Sequence, residues 1–296
     1  MEYISAKTIL SKQKKPEYWF GVEYNMNLYR GCNGGCIYCD SRSDCYRVER
    51  FDEVRAKGNA LAVLERELTS KKKQHIVGMG AMSDPYNPYE KELKLTRGAL
   101  ELLCRQRFGA TVTTKNALVT RDIDVLQQLN LYAPLCVKLT ITTLDDALAK
   151  KIEPYSSSTQ ERFLAIEKLR VAGVYTGILL MPVLPFINDT VENIAGIVRQ
   201  AGACGASFIY PMFGVTLRDN QQAYYYQKLD ELFPGVKQQY FHHYSQQQYE
   251  YRSPNASKCW AVFQEECERH GILYRMKDII AAYQVPMQEG QLNFFE

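Results

Sequence analysis

Beyond Phe51 the apolar positions alternate between two periods. "FDEVRAKGNALAVLERELTSKKK" places Leu61, Val63, Leu64 and Leu68 on one side of a helix, with charges opposite. "QHIVGMGAM" is a short apolar run, stopped by the Asp-Pro and Asn-Pro steps of "SDPYNPY". "LTRGALELLCRQR" returns to the helical period, and "FGATVTT" is β-branched and strand-like. "TRDIDVLQQLNL" predicts a helix with Thr120 as N-cap and Ile123, Leu126 and Leu129 on one face. "LCVKLTITT" predicts a strand, and "STQERFLAIEKLRVAG" a helix ending at Gly173. "VYTGILLMPVLP", "DTVENIAGIVRQAG" and "ASFIYPMFG" then read strand, helix, strand. Counting "WFGVEYNMNL" near the start, six strands alternate with helices, the signature of a parallel sheet or barrel of βα units. From about Gln221 the rhythm fails, and "QQAYYYQKLDELF" and "SKCWAVFQEECERHGI" predict a mainly helical addition. The expected division is therefore 1–220 and 221–296.

Parallel βα architectures place their sites on the loops after the strands. On this pattern five irregular segments converge on one mouth: the cysteine-rich stretch, "SDPYNPYE", "TKN", "TTLD" and "PVLPFIND".

Composition changes little in that picture. The 296 residues are 46% hydrophobic and 23% charged, an ordinary globular balance. The opening "MEYISAKTILSKQKK" has no apolar core of signal-peptide length, and the longest apolar run, "ILLMPVLPFI", is short and broken by two prolines. No membrane span and a cytoplasmic protein are expected. Nine cysteines, an odd and unevenly spread set, suit a reducing compartment better than a disulfide scaffold. The net charge of +3 lends no support to nucleic-acid binding. Lys71–Lys73 closes a helix, where cations favour the carbonyl end.

The chemistry concentrates in "YRGCNGGCIYCDSRSDC". Cys32, Cys36 and Cys39 form C-x3-C-x2-C, with Cys45 beyond. Neighbouring disulfides need specific geometry and leave a thiol over. A structural zinc site takes four closed ligands, with Cys45 as the fourth. Ordinary ferredoxin sites also use four thiolates. Three thiolates on a cubane instead leave one iron without a protein ligand.

That spacing, with the aromatic Tyr38 before the last cysteine and its place after the first strand, resembles the radical S-adenosylmethionine (SAM) superfamily. Further stretches, "GAMSDPYNPYEKELKLTRGALELL", "TVTTKNALVTRDIDVL" and "LTITTLDDALAKKIEPYSSSTQERFLAIEKLRVAG", resemble the spore photoproduct lyase-like group, labelled DNA repair photolyases. The resemblance implies a partial (β/α)6 TIM-type barrel, an α/β fold, with a cluster loop at 30–40. It implies a [4Fe–4S] cluster on Cys32, Cys36 and Cys39 and SAM as cofactors, and a reductant such as flavodoxin or ferredoxin. It also implies formation of a 5′-deoxyadenosyl radical that takes hydrogen from an unidentified substrate, in a lyase or oxidoreductase. In SAM binding, Ser83 and Asp84 match the place holding the amino group and Lys115 that meeting the methionine carboxylate. Thr140 or Thr142 would bond the ribose or carboxylate, and Tyr38 would flank the adenine.

Each residue has a plainer role beside that one. Asp84 before Pro85 suits a turn, Lys115 a solvated loop, and Thr140 and Thr142 a β-branched strand. Glu153 and Arg162 read as a surface carboxylate and a helix cation. His242 and His243 point different ways on a helix, Cys259 and Cys267 read as buried thiols, and Cys45 as inert. Tyr86, Tyr89, Tyr210 and Phe213 are expected near the mouth, where rings stack on a base or simply pack. One departure stands out. The lyase that names the group carries a hydrogen-donating cysteine just before the Ser-Asp pair, separated from it by one residue, where this chain has Ala81. That weakens lesion repair as an alternative, and a non-catalytic four-cysteine zinc or iron–sulfur protein is the other.

Overall fold

Strands rich in Val, Ile, Leu and Thr on both faces need cover on both faces, and a parallel sheet wrapped by helices supplies it. In the computed structural model, which describes residues 1–245 and 248–284, six such strands form one sheet: β1 (Tyr24–Met26), β2 (Ile76–Met79), β3 (Gly109–Thr114), β4 (Leu135–Thr140), β5 (Thr176–Leu180) and β6 (Phe208–Pro211). Their spatial order is their chain order, each parallel to the next, so the sheet curls into an open, partial (β/α)6 barrel. Leu10–Lys12 adds an antiparallel strand at the β1 edge. Every residue of β4 and of β5 is buried.

Helices Ala60–Thr69, Leu95–Arg105, Ile123–Tyr132, Thr159–Val171 and Val191–Ala203 follow the successive strands. Val63, Leu64 and Leu68 face the core as their spacing predicts, with Leu61 half-buried. Two expectations on element ends are corrected. Thr120 does not cap a helix: its hydroxyl donates to the Ala117 carbonyl inside a 3-10 turn, Ala117–Asp122, and the helix begins at Ile123. The N-cap position belongs to Asp122, whose carboxylate is taken up by Arg97, Arg121 and Tyr86 instead of the backbone. The strand expected over "WFGVEYNMNL" shrinks to Tyr24–Met26, because Pro16–Tyr18 forms a 3-10 turn that delivers Trp19 and Phe20 into the barrel.

Beyond β6 the chain is mainly helical, as expected, over Asp219–Leu232, Val236–His243, Ala256–His270 and Met276–Tyr283. Glu250–Arg252 pairs antiparallel with Gly214–Thr216. The segment around Leu273 runs beside β6, Ile209 N–H donating to its carbonyl at 2.9 Å, and so protects the open sheet edge. The Tyr283 hydroxyl bonds the Phe20 carbonyl and its ring stacks on Tyr175, closing the barrel floor with aromatics. Residues 285–296 of the expected extension lie outside the described residues. No described helix is long and apolar enough to cross a membrane.

Candidate active site

The loop after β1 is pinned at both ends: Cys32 N–H donates to the Phe51 carbonyl at 2.8 Å and Ile37 N–H to the Ile152 carbonyl at 3.0 Å. Between them Gly35 sits at φ +69°, with Pro154 so close that an added Cβ would stand 2.7 Å from its Cγ. Only glycine fits such a turn against its neighbour. A Cβ on Gly34 would lie 3.5 Å from Cys32 Sγ and 3.8 Å from Cys36 Sγ, so the bare glycine leaves a cradle beside both sulfurs.

Cys32, Cys36 and Cys39 line one pocket of about 400 Å³ at the carboxyl ends of the strands. All nine cysteines are free. Burial pushes the Cys32 thiol up to about 11 and raises Cys36 and Cys39 as well, Lys115 opposing the shift at the latter two. Unliganded, the three are thus neutral thiols, and bound iron would deprotonate them. Among the described residues no three His, Cys, Asp or Glu side chains converge as on a single ion. Three thiols on one pocket wall match a [4Fe–4S] cluster that leaves one iron open, whereas a closed structural zinc site takes four ligands. The half-buried thiols and the glycine cradle fit such a cluster.

The loop after β2 brings Ser83 and Asp84 to the same wall. Ser83 Oγ donates to the Gly31 carbonyl at 2.6 Å, tying this loop to the cysteine loop. Asp84 makes the expected turn, accepting from Tyr86 N–H at 2.8 Å, but also accepts from Thr114 Oγ1 at 2.6 Å and from Lys115 N–H at 2.9 Å. With three of about four acceptor positions filled, its carboxylate is held rigidly and keeps capacity for one further donor. Lys115 extends from the end of β3, its ammonium 5.6 Å from the Tyr38 ring centroid. Burial opposes its charge, but Cys36, once a thiolate, and the Glu153 carboxylate outweigh that and hold it above its ordinary value.

Thr140 lines the pocket; Thr142 does not, its buried Oγ1 having no partner among the described residues. Cys45 is exposed and off the wall. The aromatics expected near the mouth are absent from that wall as well. Tyr86 is buried with its hydroxyl on Asp122, Tyr210 packs on Trp19 and Phe20, Phe213 packs on Trp260 and Phe263, and Tyr89 is exposed.

Glu153 and Arg162 correct the surface reading most sharply. Both are buried, paired at 2.5 Å, with the Tyr38 hydroxyl on the other Glu153 oxygen and Arg162 Nη1 also donating to the Thr140 carbonyl at 2.8 Å. Burial works to raise the Glu153 carboxyl, yet the Arg162 guanidinium and Lys115 outweigh it and hold the group below its usual range. Sequence reasoning also missed Trp19, Met82, Met181 and Met212 on the wall. A helix-spaced carboxylate and an apolar run carry no local sign that they face a mouth.

With the geometry in place, comparisons with known proteins assign the class. A model of the radical SAM superfamily matches residues 26–198, more than half of the chain. The chain belongs to that superfamily, whose enzymes use a [4Fe–4S] cluster and SAM and need a reductant and a substrate. Similar curated proteins include an uncharacterized protein of Mycobacterium tuberculosis, 28% identical over 224 residues, 73% of this chain and 66% of the relative. Another, from Methanocaldococcus jannaschii, is 33% identical over 198 residues, 65% of this chain and 71% of the relative. The chain thus spans just under two thirds of the mycobacterial relative's length. Spore photoproduct lyase complexed with a dinucleoside spore photoproduct superposes with a TM-score of 0.65 at 16% identity, over 90% of this chain and 78% of that one. A radical SAM methyltransferase of Kitasatospora setae, with tryptophan and a SAM analogue bound, gives 0.55 at 11% identity, over 82% and 51%.

Proposed function

We propose that the mouth binds a [4Fe–4S] cluster on Cys32, Cys36 and Cys39 and SAM beside it, and that the enzyme abstracts hydrogen from an unidentified substrate. The observation that carries this reading is the convergence of three half-buried thiols, the Ser83–Asp84 pair and Lys115 on one pocket. When bound and reduced, the cluster supplies the electron that splits SAM into methionine and a 5′-deoxyadenosyl radical. Asp84, fixed by its three donors, accepts from the cofactor's ammonium, and Ser83 holds the loop that presents it. Lys115 pairs with the methionine carboxylate, Thr140 takes the polar contact on the ribose side, and Tyr38 flanks the adenine. Thr142, off the wall, has no such part. Glu153 and Arg162 hold Tyr38 in place and keep water from the back of the cluster loop. Residues 1–220 carry the cofactors; at the junction Arg218 pairs with Asp40 at 2.7 Å and Ser43 Oγ donates to Asp219 at 2.9 Å, and from the start of the extension Gln221 Nε2 donates to the Tyr38 carbonyl at 3.2 Å, so the described part of 221–296 buttresses the loop. The reductant is of the flavodoxin or ferredoxin kind, in the cytoplasm, and the reaction is of lyase or oxidoreductase type.

Lesion repair of the spore photoproduct type is the weaker reading, because Ala81 lines the pocket where a hydrogen-returning thiol is needed and has no weak X–H bond to offer. Anaerobic reconstitution tests the main reading. Iron and sulfide at cluster stoichiometry, the broad absorption of a [4Fe–4S] centre, and 5′-deoxyadenosine from SAM under dithionite are expected. Zinc in their place, or no 5′-deoxyadenosine, overturns it.

A further inference from the structure

Below the mouth the barrel lumen is neither filled nor apolar. A second cavity of about 260 Å³ lies there, sharing Trp19, Gly80, Ala81, Thr113, Thr140 and Met181 with the cofactor pocket, so the two are continuous. In many barrels of this kind bulky branched side chains fill that space. Here one lumen-lining position of β2 is a glycine, Gly78, against which Val22 and Asn25 pack: a Cβ there would meet Val22 Cγ1 at 2.8 Å and Asn25 Oδ1 at 3.1 Å.

Into this cavity β4 sends Lys138, in register with Thr113 and only 1% exposed. Its ammonium lies 4.3 Å from the Phe20 ring centroid and has neither a carboxylate nor a hydrogen-bond acceptor among the described residues. The ring face offsets part of the cost of burying that charge but leaves the N–H donors unmet. Burial lowers the group to about 8, so at neutral pH it is still mostly cationic. On β3, one step along the same face, the buried hydroxyl of Thr111 is also without a partner. A lone cation, an idle hydroxyl and the Asn25 carboxamide therefore border one space that opens towards the site of the proposed radical.

We propose that this lumen is the substrate pocket and that Lys138 binds a carboxylate of the substrate, assisted by Thr111 and Asn25. A single cation with neutral donors matches a monoanion; a phosphate dianion would need more positive charge than the lumen holds. The substrate class is therefore a carboxylic acid whose body reaches up to the cofactor pocket. This inference rests on the radical SAM reading of the mouth.

The test is calorimetric titration of the reconstituted holoenzyme, with SAM present, with butyrate, butyramide and inorganic phosphate as probes, repeated on Lys138→Met, which keeps bulk and removes charge. Butyrate is expected to bind the wild type, butyramide at least about tenfold more weakly, and the variant to lose butyrate by about tenfold or more. Equal binding of acid and amide, undiminished butyrate binding by the variant, phosphate preferred over butyrate, or no probe bound at all would each overturn the proposal. Should the variant fail to fold, a wild-type crystal soaked in 4-bromobutyrate decides instead: bromine in the lumen with the carboxylate on Lys138 supports it, and any other location refutes it. 5′-Deoxyadenosine formation by the same wild-type preparation reports separately on the radical reading, so the two failures are distinguishable.

Discussion

The molecule buries two networks of the same chemistry, and only one of them belongs to the mouth. In the first, Tyr38 and Arg162 share the Glu153 carboxylate, fully enclosed and close enough to Lys115 for their charges to interact. In the second, Tyr29 donates to Glu90 at 2.5 Å, Tyr86 to Asp122 at 3.1 Å, and Arg121 binds both carboxylates. Arg97 completes it, joining Asp122 at 3.2 Å and reaching out to Asp124 at 2.6 Å. None of the second network lines the cofactor pocket; it clamps the loop after β2 to the turn before the helix Ile123–Tyr132. Buried tyrosine–carboxylate–arginine groups thus do not by themselves mark a functional site. What separates the two is position: the first backs the cysteine loop at the strand ends, and its cation is wholly inside, whereas Arg97 and Arg121 keep about a quarter of their side chains in solvent.

The largest effect should come from the thiols that the first network supports. Cys32→Ala, Cys36→Ala or Cys39→Ala is expected to abolish both cluster absorption and 5′-deoxyadenosine formation, while Cys45→Ala, on the exposed turn, keeps both. A Cys45→Ala protein without its cluster would replace the three-thiolate site with a four-thiolate one.

The two networks are then separated directly. Arg162→Met strands a buried carboxylate and should cost about 3–5 kcal/mol in chemical denaturation and lower iron content. Arg121→Met leaves Arg97 on Asp122, and on Glu90 the Tyr29 hydroxyl with the Thr96 and Arg97 N–H groups, so it should cost less, about 1–3 kcal/mol, with iron unchanged. Equal iron loss in both would erase the distinction drawn here.

A pH series sharpens it further. Glu153 has a folded value below its ordinary 4.5, so its contribution is fully present above that value and is lost as pH falls through the lower folded one. The melting temperature should therefore drop in acid below the ordinary carboxylate range, and Glu153→Gln should flatten that drop while lowering stability near neutrality. The smallest effects belong to the hydroxyls: Tyr38→Phe and Tyr86→Phe should each cost about 1 kcal/mol in thermal unfolding. Tyr38→Phe is expected to leave SAM affinity unchanged, because the ring remains.

Much of the fold was legible because it is written in short-range pattern. The six strands, the helices between them and the loss of rhythm after Gln221 all came from periodicity, and the C-x3-C-x2-C, Ser83–Asp84 and Lys115 positions from local motifs on predicted loops. The errors were of a different kind. Thr120 looked like a cap because Asp122 was not known to be occupied by arginines. Glu153 and Arg162 looked like surface charges because nothing in "KIEPYSSSTQER" says that Tyr38, more than a hundred residues earlier, lies over them. Tyr86 and Phe213 were placed at the mouth by their loops, and their partners turned them into packing.

The sequence by itself determined the order of elements, the three thiols with their glycine-rich loop, and thereby the superfamily. Hydrophobic period and motif spacing are properties of neighbouring residues, and neighbours survive any arrangement of the rest. Only the tertiary structure decided which polar groups are buried, and with what. Lys138 sits in a strand buried on both faces, where no alternation distinguishes lumen from helix side, and its missing partner is defined by residues of β1, β2 and β3 that the chain brings round from far away. Burial and partnership are long-range quantities, and the chemistry of a lumen depends on both.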